Sequence, residues 1–231
     1  MSNSGGQPVK LATLEWPPYV GKLLPEQGAA VAVARAAFAA MGYELSIEVL
    51  PWSRAVNAGK SDDSFVGYFP EYDSAVVRRD FNLSEPLGYG PLGLAQRKDK
   101  PVVWANLSDL KKYNIGVVQD YVNTTELDIN ISSKSQRHDI AQDDSKNLLK
   151  LANGRVDLAV LDINVFDYLL RTDAALQPFS DGLSINSKVL ETKLLHVCFR
   201  KNAAGTEMAK IFNQGLKKID AKAIMGKYMG H

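Results

Sequence analysis

Apolar and polar positions along this chain switch between two periods, and the switching predicts strands alternating with helices. Val9 to Leu14 is a short apolar run that stops at Glu15-Trp16-Pro17-Pro18-Tyr19, where two prolines forbid further strand. From Gln27 to Met41 an alanine-rich segment carries Val31, Ala34, Phe38 and Met41 on one helical face, with Gly42 as its stop. Leu45 to Leu50 alternates as a half-buried strand does. Pro51-Trp52-Ser53-Arg54-Ala55 opens a short helix, and Phe65-Val66-Gly67-Tyr68 reads as a strand broken at Pro70.

A second series begins after an extended Gly90 to Arg97 and a charged linker, Lys98-Asp99-Lys100-Pro101. Leu107 to Leu110 reads as a short helix and Ile115 to Val118 as a strand. Asp120 to Thr124 reads as a polar loop that opens a helix. A helix from Asp144 to Asn153, a strand from Val156 to Leu161 and a helix from Val165 to Arg171 follow. A long extended run, Leu190 to Arg200, leads to a final amphipathic helix from Gly205 to Ile219, striped with Met208, Ile211, Phe212, Leu216 and Ile219. Alternating strands and helices argue for an α/β fold.

The stretch Gly154-Arg155-Val156-Asp157-Leu158-Ala159-Val160-Leu161-Asp162 carries the most chemistry. It reads as a helix ending at glycine, then an apolar strand, then an acid where the strand stops. Ligands of open α/β sheets bind at the carboxyl ends of strands, and an acid there can hold an ammonium group. The same acid can instead cap the following helix. Both roles stay open for Asp162.

Composition narrows the classes. A chain of 231 residues with 45% apolar side chains has enough core for one or two globular domains. Lysine and arginine total 27 against 26 acids, a net charge of +1, and no basic run tracks a phosphate backbone, so nucleic acid is not an expected partner. Cys198 is the single cysteine, which excludes an internal disulfide; its apolar surroundings predict a buried, inert thiol. His138, His196 and His231 are scattered, and no metal-ligand spacing, Gly-x-Ser-x-Gly elbow or phosphate loop occurs. The expectation is no metal, no cofactor and no enzyme. No apolar run is long enough to span a bilayer. Met1 to Gln7 lacks the features of a signal peptide and reads as an expression remnant or a trimmed mature start.

Five segments in order resemble the bacterial extracellular solute-binding proteins of family 3, the amino-acid-type periplasmic binding proteins of ABC transporters. They are the first strand with Pro18-Tyr19; Pro51-Trp52-Ser53-Arg54-Ala55; Phe81-Asn82-Leu83-Ser84-Glu85-Pro86, similar to the family's V-x-F-S-x-P; Ile115-Gly116-Val117; and Gly154 to Asp162. The resemblance implies a type II periplasmic-binding-protein-like fold with two α/β lobes, residues 7–96 plus 195–231 and residues 97–194. Two crossing strands would join them, with a cleft between. It further implies a monomer in the periplasm that closes on an amino acid or related carboxylate and hands it to a membrane permease.

In the family an arginine before the F-S-x-P segment holds the ligand carboxylate, and the acid ending the second lobe's strand holds the ammonium. Asp162 matches the second position. Arg79, with Arg78 as the alternative, is the expected carboxylate anchor, although the stretch from Phe69 to Arg79 is lengthened relative to the family. Trp16, Tyr19 and Trp52 follow strands and could wall the ligand or simply pack. Arg54 could reach the same mouth or sit in a surface salt bridge. Gly67-Tyr68 matches a segment that offers backbone groups to the ligand; Tyr68 is larger than the usual residue there, and Pro70 replaces a threonine. Tyr121 and Asn123 occupy the turn before a helix whose amides suit an anion. Glu15 and Asp162 would be the acids of a cyclohexadienyl-dehydratase-like enzyme on this fold, one alternative; the ligand-sensing part of a membrane receptor is another.

Overall fold

The computed structural model describes residues 6–229; Met1 to Gly5, Gly230 and His231 lie outside the described residues. Along the chain run β1 (Gln7–Thr13), α1 (Ala29–Ala39), β2 (Tyr43–Val49), α2 (Trp52–Ser61), β3 (Gly67–Tyr72), α3 (Ala75–Asp80), β4 (Phe81–Leu83) and β5 (Gly88–Arg97). Then come β6 (Ile115–Val118), α4 (Thr125–Ser132), β7 (His138–Ala141), α5 (Asp144–Ala152), β8 (Leu158–Asp162), α6 (Ile163–Thr172) and β9 (Leu183–Ile185). The last elements are β10 (Glu191–Arg200), α7 (Ala203–Leu216) and α8 (Ala221–Tyr228). The alternation read from the sequence is therefore present as an α/β fold.

The chain divides into two compact units. Residues up to Tyr89 and from Leu194 form unit 1, and Gly90–Lys193 form unit 2. The chain thus leaves unit 1 within β5 and re-enters it within β10.

In unit 1 the strand order is β2-β1-β3-β10, with β4 also laid against β10. β1 is parallel to β2 over its whole length and parallel to β3 at Leu11 and Ala12. Parallel strands need crossover helices to return the chain, and α1 and α2 serve. One face of the sheet is closed by aromatic packing among Phe38 of α1, Phe199 of β10 and Phe212 of α7, with ring centroids 4.9 to 6.4 Å apart. In unit 2 the order is β5-β8-β6-β7, with β9 against β5 and the parallel pairs β6–β7 and β6–β8. Its core gathers Leu148, Leu151, Val156, Leu161, Phe166, Leu176 and Leu183.

Besides the short strands β4, β7 and β9, which the sequence reading did not single out, three features differ from it. Strand β3 does not break at Pro70 but continues to Tyr72. Its pairing with β10 skips from His196–Glu71 to Cys198–Tyr68, so the irregularity falls where proline has no N–H to give. The second is α3, a short helix that the polar, arginine-rich stretch before Phe81 does not announce; Ser74 caps it by accepting the Val77 N–H at 3.2 Å. The third is that Gly205 to Ile219 is not the final helix, because Asp220 caps a further one, α8, through the Ala223 N–H.

Helices α1 and α7 cross at a point with no room for a side chain: a Cβ on Gly215 would lie 2.0 Å from the Ala37 carbonyl oxygen. Gly215→Ala should therefore lower the unfolding free energy by about 1–3 kcal/mol despite alanine's better helix propensity. Urea titration reads it, and an unchanged midpoint would show that the two helices can separate at no cost.

Candidate functional site

Parallel pairing places the carboxyl ends of β1, β2 and β3 on one edge of unit 1. After β1, Trp16 and Tyr19 are tied by backbone bonds between Trp16 and Val20, and their rings stack at 4.5 Å with 22° between planes. Tyr72, the last residue of β3, meets Trp16 edge-on at 6.1 Å. Tyr19 is fully buried, so it supports Trp16 from beneath. Glu15 is exposed, and both of its carboxylate oxygens accept the Lys22 N–H.

Trp52 opens α2 at the end of β2, and its ring lies 5.4 Å from that of Tyr68 in a T-shaped contact. The Tyr68 hydroxyl donates to the Glu71 carboxylate at 3.1 Å, while the Tyr72 N–H donates to its other oxygen at 2.7 Å. Burial, and then the negative charge of Glu71, push the Tyr68 phenol far above its ordinary range, so it remains a proton donor. Gly67 has a packing role: a Cβ there would sit 2.1 Å from the Cys198 carbonyl oxygen of β10. Cys198 itself is fully buried, and burial pushes its thiol well above the ordinary value.

The three sequence-predicted arginines separate. Arg79 bonds Asp80 at 2.8 Å, and Asp80 also receives Lys60 from the last turn of α2 at 2.9 Å. Phe81, the next residue, pairs with Arg200, beyond the Phe199–Gly67 pair that marks the amino end of β3. Arg79 therefore lies toward the edge opposite Trp16, Trp52 and Tyr72. Arg78 makes a two-pronged bond back to Asp73 at 2.6 and 2.5 Å. Arg54 is exposed in the first turn of α2, on the edge that carries Trp16 and Trp52.

In unit 2 the parallel strands β6, β7 and β8 also end on one edge. There Asp162 is 2% exposed, and its Oδ1 accepts the N–H groups of Asn164 and Val165 at 2.8 and 3.2 Å. It is the N-cap of α6, so its carboxylate is held in one orientation at the end of β8. After β6, Asp120 adopts the left-handed region at φ 61, uncommon for a residue other than glycine and a state often kept at functional turns. The Tyr121 hydroxyl reaches the Asp144 carboxylate at 3.4 Å, and Asp144 is itself buried in the first turn of α5. Asn123 turns inward: its amide and backbone N–H groups both bind Asp128, at 2.9 and 3.0 Å. Burial holds the Asp128 carboxyl above its usual range, an effect these two bonds partly offset.

Glu71 and Asp144 are buried acids at strand ends that the sequence reading passed over. A strand end after Pro70 was the missing signal for the first. For the second it was Asp143-Asp144, an acidic pair opening a helix. Among the described residues no group of three or more histidine, cysteine or acidic side chains is placed to hold a metal.

No known family's sequence pattern matches the chain, and no curated protein matches it in sequence. Solved structures do match. A histidine kinase sensor domain with similarity to periplasmic binding proteins superposes with a TM-score of 0.81 at 20% identity, covering 99% of this chain and 98% of its own. An ancestral arginine-binding protein bound to arginine gives 0.77 at 16% identity, covering 98% and 100%. The GluR0 ligand-binding core from Nostoc punctiforme, in complex with L-glutamate, gives 0.75 at 15% identity, covering 96% and 99%. The three are binding or sensor domains. The chain has the periplasmic-binding-protein-like fold that its sequence led us to expect.

Because Asp162 caps α6, its amide and its apolar replacement should behave differently. Asp162→Asn keeps the capping oxygen and should leave stability nearly unchanged, whereas Asp162→Ala should lower it by about 1 kcal/mol. Thermal unfolding of the two variants side by side checks this. Equal losses would show that charge, and not the cap, is what the fold uses.

Proposed function

We propose that this chain is a solute-binding protein that captures an amino acid or related small carboxylate outside the cytoplasm. Its two units would close on the ligand as a hinge does, and the loaded form would be presented to the membrane permease of an ABC transporter. The observation that carries this reading is the gathering of aromatic rings and fixed carboxylates at the strand carboxyl ends of each unit. Trp16, Trp52, Tyr72 and Glu71 do so in one, and Asp144, Asp162 and Tyr121 in the other. Such ends are where open α/β sheets bind ligands. Rings cover a ligand's apolar body, and carboxylates replace the water around its ammonium. Arginine and glutamate occupy two of the similar structures, which supports an amino acid as the class.

A second reading has a specific observation in its favour. The similarity to a histidine kinase sensor domain extends over nearly all of both chains. The same ligand-capturing module would then report to a receptor in place of a permease. Solute capture is common to both readings.

A thermal-shift screen over amino acids, small carboxylates, polyamines and sugars tests that shared element. A ligand at a hundred times its dissociation constant adds about 2.7 kcal/mol, so one class should raise the melting temperature clearly. A flat response across all four classes would remove solute capture as the function.

A further inference from the structure

Unit 1 holds five arginines: Arg35, Arg54, Arg78, Arg79 and Arg200. Four of them are matched to a carboxylate, Arg35 with Glu26, Arg78 with Asp73, Arg79 with Asp80 and Arg200 with Asp63. Among the described residues Arg54 alone of the five has no such partner. Its place is also distinctive. It stands in the first turn of α2, directly after the carboxyl end of β2 and two residues from Trp52, on the edge where β1 and β3 also end. That turn is the positive end of a ten-residue helix, and its N-cap, Pro51, offers no side-chain acceptor to the first amides.

We infer that Arg54 is the residue of this chain that grips the anionic group of the ligand, the role its relatives' pattern would give to Arg78 or Arg79. The inference rests on the solute-binding reading and adds to it which side chain holds the ligand's carboxylate. A guanidinium presents parallel N–H donors that match the two oxygens of a carboxylate, which an ammonium cannot do. Arg78 already spends that fork on Asp73, and Arg79 points into the Asp80–Lys60 pair toward the far edge of the sheet. Arg54 has its fork unspent at the ligand edge. The acids on the same edge, Glu15, Glu71 and Asp73, repel an anion, so a carboxylate there needs a cation. Arg54 is the one arginine following β1, β2 and β3 that is not matched to an acid, and Lys22, in the turn after β1, has an ammonium without the guanidinium fork.

The test titrates the wild-type protein with the standard L-amino acids and succinate, and with the amines agmatine, cadaverine and putrescine. The same titrations are run on Arg54→Gln, Arg54→Lys and Arg79→Gln, each first shown to melt unliganded as the wild type does. The expected result is that a carboxylate-bearing probe binds the wild type, that Arg54→Gln weakens it about tenfold or more, and that Arg54→Lys recovers part of the loss. Agmatine and L-arginine, which differ by the carboxylate alone, should then be discriminated by the wild type and not by Arg54→Gln. Undiminished binding in Arg54→Gln, or a loss that falls on Arg79→Gln instead, overturns the assignment of Arg54 and leaves solute capture standing. Binding of the amines alone overturns the carboxylate and leaves solute capture standing. No binding of any probe overturns both.

Discussion

Parallel strand pairing is the constraint from which the rest of this structure follows. Because β1, β2 and β3 run in one direction, the turns after them must all lie on one edge of unit 1. The same holds for β6, β7 and β8 in unit 2. Each turn feeds a helix or a further turn, so that edge collects helix starts, with their N–H groups unpaired within the helix and their caps. Side chains there can be polar even when buried, because helix N–H groups and nearby hydroxyls bond them. The opposite edge gathers the amino ends of the strands and the carbonyl ends of the crossover helices. The chemistry of the molecule is thereby concentrated without any sequence motif that spells it out.

At those edges the groups proposed to meet the ligand also serve the fold. Asp162 is a cap first, and the two N–H bonds it accepts fix its carboxylate where β8 ends. Glu71 is held by the Tyr68 hydroxyl and the Tyr72 N–H in the same manner. A charge so held costs little to reorganise when a ligand arrives, which is the physical meaning of a preorganised site. The arginines show the opposite arrangement. Those matched to acids on the surface contribute little to stability, since exposed pairs are worth about 0–1 kcal/mol, but their donors are already committed. An uncommitted guanidinium at a strand end is a different resource.

Much of the fold was legible because it follows period and punctuation. Strands β1, β2, β6 and β8 and helices α1, α5 and α7 each combine a clear apolar period with a glycine, proline or capping residue at a boundary. The missed pieces lacked one of those signals. Pro70 argued for a break, and only the pairing irregularity opposite it, a tertiary feature, lets β3 pass through. Helix α3 is six residues long, too short for a period to show, and α8 is marked mainly by Asp220 at its cap. β7 is a four-residue edge strand in which Ile140 faces out, so it carries no alternation to read. At the candidate site, residue type and position along the strand were readable for Trp16, Trp52, Tyr121 and Asp162. The hydrogen bonds that turn Asn123 inward onto Asp128, and the path of α3 that carries Arg79 away from the strand ends, depend on three-dimensional packing that no spacing encodes.

Amide hydrogen exchange with and without a saturating ligand is the most direct test of whether the strand carboxyl ends are the binding surface. Slowed exchange is expected in the turns at residues 14–22, 50–56, 71–74, 119–125 and 162–166, with α7 and α8 unaffected. Protection confined to α7 and α8, or to the amino ends of the strands, would contradict it.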